Sequence, residues 1–204
     1  MTGRKSAVAM LIAFDGVIWQ PDLVAITEIE RRSAIEPGTI QTVAQTPERL
    51  VPGMLGTISH AAWCESIAAG LAGHAGGLEA AEKIIEEWYA VRGSIAPELL
   101  DFLTAVRDQG VPVGVCTSGV DDVPADLADR VDAVVDAVAI GSAVPHPAYF
   151  EAGCRALAVL RSQCLYVDSS ARNVAGARAA GLLGYRFTGV DSLPYLREVF
   201  AKPA

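Results

Sequence analysis

Several places in this chain put chemically capable side chains where an apolar run ends. Asp15 stands before Gly16 after the run 7–14, Thr117 and Ser118 close the run 111–117, and Asp168, Ser169 and Ser170 follow the run 164–167. His146 lies between Pro145 and Pro147. Carboxylates such as Asp15 and Asp168 supply general acid or base chemistry, and a histidine that titrates near neutral pH can act as a base. Hydroxyls at a strand end, with the amides of the following turn, can cradle an anion, which is the chemistry open to Thr117 and Ser118. Each feature also has a plainer reading. An Asp before Gly caps a turn, Ser118-Gly119 is itself a turn, and Asp168 with Ser169 and Ser170 caps the next helix. A lone His in a proline-rich loop is exposed and inert.

The elements that must hold these residues are short apolar runs at 7–14, 111–117, 133–140, 164–167 and 183–187. Their length and bounding residues are those of buried parallel strands. Helix-period segments at 97–109, 147–160 and 171–180 alternate with the later runs, the last stopping at Gly181. Strand alternating with helix gives an α/β fold, a Rossmann-like open parallel sheet whose ligands bind beyond the carboxyl ends of the strands. Residues 21–95 differ. They hold three amphipathic helical candidates, 23–33, 59–71 and 78–91, with Ser59 as an N-cap and Gly70, Gly73, Gly76 and Gly77 punctuating the gap before the third. The expected division is a core of residues 1–20 and 96–204 around a helical cap of residues 21–95.

Of the 204 residues, 51% are hydrophobic, enough to bury a core without disulfide or metal. The net charge of -8 repels phosphate backbones and anionic lipid, so neither nucleic acid nor a membrane surface is an expected partner. No apolar run has the length of a membrane span. Arg4-Lys5 before the first run imitates a signal-peptide start, but no small-residue cleavage site follows. Cys64, Cys116, Cys154 and Cys164 form no C-x-x-C pair and read as reduced structural thiols of a cytoplasmic protein, with Cys116 a core filler. His60 and His74 have no ligand-spaced partner. Trp63 and Trp88 read as packing residues of the cap, and Trp19 as the better pocket candidate.

Leu11-Ile12-Ala13-Phe14-Asp15-Gly16-Val17 resembles the first motif of the haloacid dehalogenase (HAD) superfamily, an apolar strand followed by D-x-D-G-[TV]. Val115-Cys116-Thr117-Ser118 is similar to the second motif. Gly141-Ser142-Ala143-Val144-Pro145-His146-Pro147 resembles the third, G-x-x-K-P-D-P. Val167-Asp168-Ser169-Ser170-Ala171-Arg172-Asn173-Val174 is similar to the fourth, V-D-D-x-x-x-N-V. Four motifs in order, with a helical insertion after the first, identify the chain as a member of the branch with a small helical cap.

The resemblance implies a nucleophilic aspartate where this chain has Ala13, with Asp15 retained as the usual acid and base. It puts Val144 at the position of the charge-neutralising lysine, His146 at that of an aspartate, and Ser169 at that of the second acid of the fourth motif. Asp168 is left as the one matched carboxylate ligand, joined by the backbone carbonyl of Asp15, so magnesium binding is expected to be weak or absent and no other cofactor is implied. The expected product is a catalytically degenerate HAD-like protein, a pseudoenzyme that binds a ligand, regulates or scaffolds, with Asp15, Trp19, Thr117, Ser118, His146, Asp168 and Ser169 as the ligand-binding candidates. Loss of Asp and Lys makes the pocket drier and favours a neutral or apolar ligand over a phosphate ester. Two alternatives stay open: redirected acid/base chemistry through Asp15, Asp168 or His146, and weak hydrolysis in which Asp15 activates water. A small-molecule or anion ligand, a second copy of the chain and a protein partner are all open as partners.

Overall fold

The computed structural model describes residues 7–91, 93–118 and 123–201. Arg4, Lys5 and Gly119, named above, lie outside them. The chain forms two compact units, Met1–Gln20 with Ile95–Ala204, and Pro21–Ser94. Its elements begin with β1 (Ala9–Ala13) and β2 (Trp19–Gln20), followed by α1 (Leu23–Arg32), α2 (Thr39–Ala44), α3 (Pro47–Met54), α4 (His60–Ala75) and α5 (Leu78–Ala90). After these come β3 (Ser94–Ile95), α6 (Pro97–Asp108), β4 (Val113–Thr117), α7 (Ala125–Ala128), β5 (Ala133–Asp136) and α8 (Ala137–Ile140). The remainder is α9 (Pro147–Ala156), β6 (Cys164–Asp168), α10 (Ala171–Ala179), β7 (Leu183–Arg186) and α11 (Leu193–Phe200).

Five strands form one parallel sheet in the order β5-β4-β1-β6-β7. The central β1 is buried at every residue, which is why its sequence is an unbroken apolar run rather than an alternating one. Alternation within the run still divides the two faces. Met10 and Ile12 pack with Phe102, Leu103 and Val106 of α6 and Leu196 and Phe200 of α11. Ala9 and Leu11 pack on the other face with Tyr149, Phe150 and Cys154 of α9 and Ala177 of α10. A helical layer therefore covers each face, in a Rossmann-like α/β arrangement. The approach on the second face is close, because a Cβ on Gly114 or Gly153 would lie 2.8 Å from a Leu11 methyl.

Two of the expected elements end early, for local reasons. The run 133–140 is not one strand: β5 stops at Asp136, whose carboxylate accepts the Val138 N–H at 2.9 Å and caps α8. The segment 147–160 is helical only to Ala156, and Ala158 follows at φ 53°, in the left-handed region. The short α2 and α3, the β2–β3 ribbon and α11 are additional to the expected elements. Among the described residues no helix is long and apolar enough to cross a membrane.

The helical unit is built on the α4–α5 pair, where Ile67 and Leu71 are buried with Ile84 and Ile85. Ser59 caps α4 by accepting the Ala62 N–H at 3.1 Å. Trp63 is 5% exposed and its ring lies 6.0 Å from that of Trp88, so both serve packing. Glu30 is only 1% exposed, yet it carries no ion pair among the described residues. Its carboxylate instead accepts the N–H groups of Gly38 at 2.8 Å and Ile40 at 2.9 Å, two otherwise unpaired donors at the start of α2. Replacing Glu30 by Ala strands the Ile40 N–H in the interior, removes the acceptor of the more exposed Gly38 N–H, and is expected to cost about 1–3 kcal/mol. Denaturant unfolding of Glu30→Ala beside the parent measures this, and a change below about 0.5 kcal/mol would contradict it.

Candidate functional site

Strand order puts β1 between β4 and β6, so the three carboxyl ends that carry the sequence candidates are neighbours. Ala13 is paired with Cys116 on one side. On the other, Ile12 is paired with Val167, which brings Ala13 level with Asp168 one step further along.

After β1 the chain turns sharply. Trp19 N–H bonds back to Phe14 O at 2.9 Å, and Gly16 N–H bonds to Trp19 O at 2.9 Å. Gly16 has φ 72°, which the turn requires of a glycine, and a Cβ there would lie 2.8 Å from Ser169 Oγ, so a larger residue would also displace the Ser169 hydroxyl. This turn presents Asp15, whose Oδ2 accepts the Ser118 hydroxyl at 2.8 Å. The bond ties the loop after β1 to the end of β4 across 103 positions of sequence. Trp19 stacks on Phe14 with ring centroids 6.4 Å apart and packs against the core, half-buried.

Beneath the end of β4, Thr117 is buried and the Tyr149 hydroxyl reaches two carbonyls, Val135 O at 2.7 Å and Thr117 O at 3.2 Å. One phenol thus joins the ends of β4 and β5. Burial drives the Tyr149 ionisation far above the ordinary tyrosine range, so this hydroxyl stays a donor. Cys116 beside it is also buried, its thiol pushed up to about 12 chiefly by burial, which makes it a poor nucleophile.

The end of β6 is the most heavily hydrogen-bonded part of the site. Asp168 is 4% exposed and accepts three donors: Ser170 N–H at 2.7 Å on Oδ1, and Asn173 Nδ2 at 3.0 Å with the Tyr166 hydroxyl on Oδ2. Ser170 caps α10 by accepting the Asn173 N–H at 3.3 Å. Desolvation is the main cause that raises the Tyr166 ionisation well above its usual range, with Cys116 and Asp168 adding to it. Tyr149 was given no role by the sequence, and Tyr166 and Asn173 entered only as residues of the fourth-motif stretch, not as site candidates. The signal for Tyr166 was present, since residues two apart on a strand share a face and a buried tyrosine needs an acceptor.

The loop before α9 holds the remaining candidates. Val144 is half-buried against the second face of the core, and the Val144–Pro145 peptide is cis. A Cβ on Gly176 would lie 2.8 Å from Pro145 O, so this loop rests directly on α10. His146 is exposed and caps α9, its Nδ1 accepting the Ala148 N–H at 3.3 Å. That bond puts the proton of the neutral ring on Nε2.

Hydrogen bonding and close packing therefore bring together Asp15, Ser118, Asp168 and Ser169 with the end of β4 at Thr117, whereas Trp19 is engaged with Phe14 and His146 with its own helix. Magnesium takes about six oxygen ligands in near-octahedral array. Asp15 and Asp168, the latter already accepting three hydrogen bonds, do not fit that demand, and no group of three or more His, Cys, Asp or Glu among the described residues gathers to hold a metal.

Burial holds Tyr149 and Tyr166 neutral in the fold. The stability this confers is complete below the pKa of an unfolded tyrosine, about 10, and falls as pH rises beyond it. In an alkaline titration followed by phenolate absorbance and far-UV circular dichroism, the last two of the five tyrosines are expected to ionise only as the dichroism is lost. Ionisation of all five with the fold intact would contradict this.

Comparison with known proteins gives matches over most of the chain. A family model for haloacid dehalogenase-like hydrolases matches residues 9–181. A phosphatase of Mycobacterium tuberculosis is 33% identical over 116 residues, which are 53% of this chain and 54% of that protein. This chain thus spans about half the length of that curated relative. Among solved structures, a dehalogenase with an intermediate complex superposes with a TM-score of 0.72 at 16% identity, covering 98% of this chain and 100% of that one. A HAD family enzyme of Bacteroides thetaiotaomicron gives a TM-score of 0.66 at 17% identity, covering 89% and 94%. These two likenesses concern the fold.

Proposed function

Since this chain belongs to the haloacid dehalogenase-like hydrolase family, we propose that it is a member without phosphatase or dehalogenase turnover, which uses the carboxyl edge of its sheet to bind a ligand or to regulate or scaffold. The observation that carries this reading is Ala13. Motif comparison assigns that position, level with Asp168 at the end of β1, to the nucleophile, and a methyl group cannot attack phosphorus or carbon. Val144, where the resemblance calls for lysine, packs on the core and carries no charge. Ser169, where it calls for a second acid, packs against Gly16. Three separate positions thus lack the groups on which the covalent chemistry depends.

The hydrogen bonding supports a ligand other than a phosphate ester. The Ser118 proton is given to Asp15, which leaves the hydroxyl oxygen to accept rather than donate. Asp168 is compensated by a phenol, an amide and a backbone N–H, none of which carries a positive charge to share with a phosphate. A small neutral ligand offering donors fits these groups better. His146, with Nδ1 committed to its helix cap, adds nothing to the alternative reading of acid/base catalysis. Four free thiols, three of them buried, support a reducing, cytoplasmic setting.

The test is a turnover panel of phosphate esters and 2-haloacids with excess magnesium, run beside Asp15→Asn and an active relative. The expected rate lies at least about 10⁴-fold below that of the relative, and Ala13→Asp alone restores nothing because Val144 and Ser169 remain. A clear rate that Asp15→Asn abolishes would overturn the proposal.

A further inference from the structure

One buried donor of the helical unit has no acceptor. Trp63 of α4 is 5% exposed, and its indole Nε1–H is sealed from solvent and bonded to no acceptor among the described residues. Buried indole N–H groups ordinarily find a partner, because leaving one unmade forfeits its hydration with nothing in return. The edge of the ring that carries Nε1 faces α3: a Cβ on Gly53 would lie 2.8 Å from Cδ1 and 3.2 Å from Nε1. The other neighbours are aromatic, with Trp88 6.0 Å from the Trp63 ring, His60 5.8 Å from it, and Tyr89 4.3 Å from His60. The cover over this edge is weakly held. Among the five helices of the unit only α3 has no buried residue, and Pro52 inside it lacks the N–H that would bond Glu48 O. Its first turn is tethered, since Arg49 Nε donates to Ser66 O at 2.8 Å, whereas the end at Gly53 meets α4 through the Trp63 ring. A segment with so little buried surface opens at low cost, and opening here frees the indole N–H to be paired.

We propose that the contact between the end of α3 and Trp63 is a ligand site for a neutral aromatic molecule bearing a hydrogen-bond acceptor, such as an aryl ketone. The end of α3 lifts at Gly53, the ring of the ligand packs among Trp63, Trp88 and His60, and its carbonyl oxygen accepts the Trp63 N–H. The surroundings select a neutral acceptor over an anion. Arg49, the basic residue of α3, is spent on Ser66 O and Thr46 Oγ1, and the exposed acids Glu65, Glu86 and Glu87 stand close to the aromatic residues in sequence. This site lies wholly within the helical unit and is independent of any ligand at the carboxyl edge of the sheet.

Indole N–H signals in a proton–nitrogen correlation spectrum of the full chain test it. The chain has three tryptophans, so Trp19→Phe and Trp88→Phe identify the Trp63 signal by elimination. The titrants are acetophenone and, as a ring without the acceptor, toluene. In the parent protein acetophenone is expected to move the Trp63 signal downfield and to saturate with a Kd of about 1 mM, the amide signals of α3 moving with it and the Trp19 signal staying in place. Toluene is expected to bind about three- to tenfold more weakly, for want of the hydrogen bond. Trp63→Phe keeps a ring and removes the donor, so it is expected to lower acetophenone affinity to that of toluene, read on the Trp88 signal and the amides of α3. No saturable shift at Trp63, equal affinity for the two compounds, a shift confined to Trp19, or an unchanged acetophenone affinity in Trp63→Phe would each overturn the proposal. The comparison of ketone with hydrocarbon is made on the parent protein and decides the matter even where Trp63→Phe does not fold.

Discussion

A strand sealed on both faces has no side chain to spare for water, and β1 is such a strand. Its ladder partners β4 and β6 are buried along their whole lengths in the same way. Polar chemistry in the middle of this sheet is therefore confined to the strand ends. Parallel pairing then places the ends of β4, β1 and β6 side by side, whatever the residues there are. The fold supplies the location of a site and leaves its chemistry to a handful of positions.

At those positions the chain satisfies its polar groups from its own side chains and backbone. Asp15 is met by Ser118, Asp168 by Tyr166, Asn173 and Ser170, and the carbonyls closing β4 and β5 by Tyr149. Such a network favours one arrangement of the loops, since every displacement leaves a buried donor or acceptor unmatched.

Much of the fold was legible because the runs around 9–13, 113–117 and 164–168 are too short for helices and too apolar for surface strands. The run 133–140 misled because Val138, Ala139 and Ile140 continue its apolar character. The stop lies in Asp136, a helix-capping residue that hydropathy alone does not weigh. α3 was hard to see because Pro52 lies inside it. At the site, Asp168 at the end of β6 and the loop residues Asp15, Ser118 and Ser169 were found by motif comparison. Tyr149 and Tyr166 were not, because a tyrosine in an apolar stretch reads as core until the acceptor of its hydroxyl is known.

The close approach of Gly16 and Ser169 couples two loops that are far apart in sequence. Ser169 Oγ lies 2.8 Å from where a Cβ on Gly16 would stand, so the two loops have closed to the size of a hydroxyl. Gly16, needed for its positive φ, has no smaller form to adopt, so the loop after β6 sets the room left above the turn. The turn after β1 and the loop after β6 thus share one small volume, and a side chain that grows in either must be accommodated by the other.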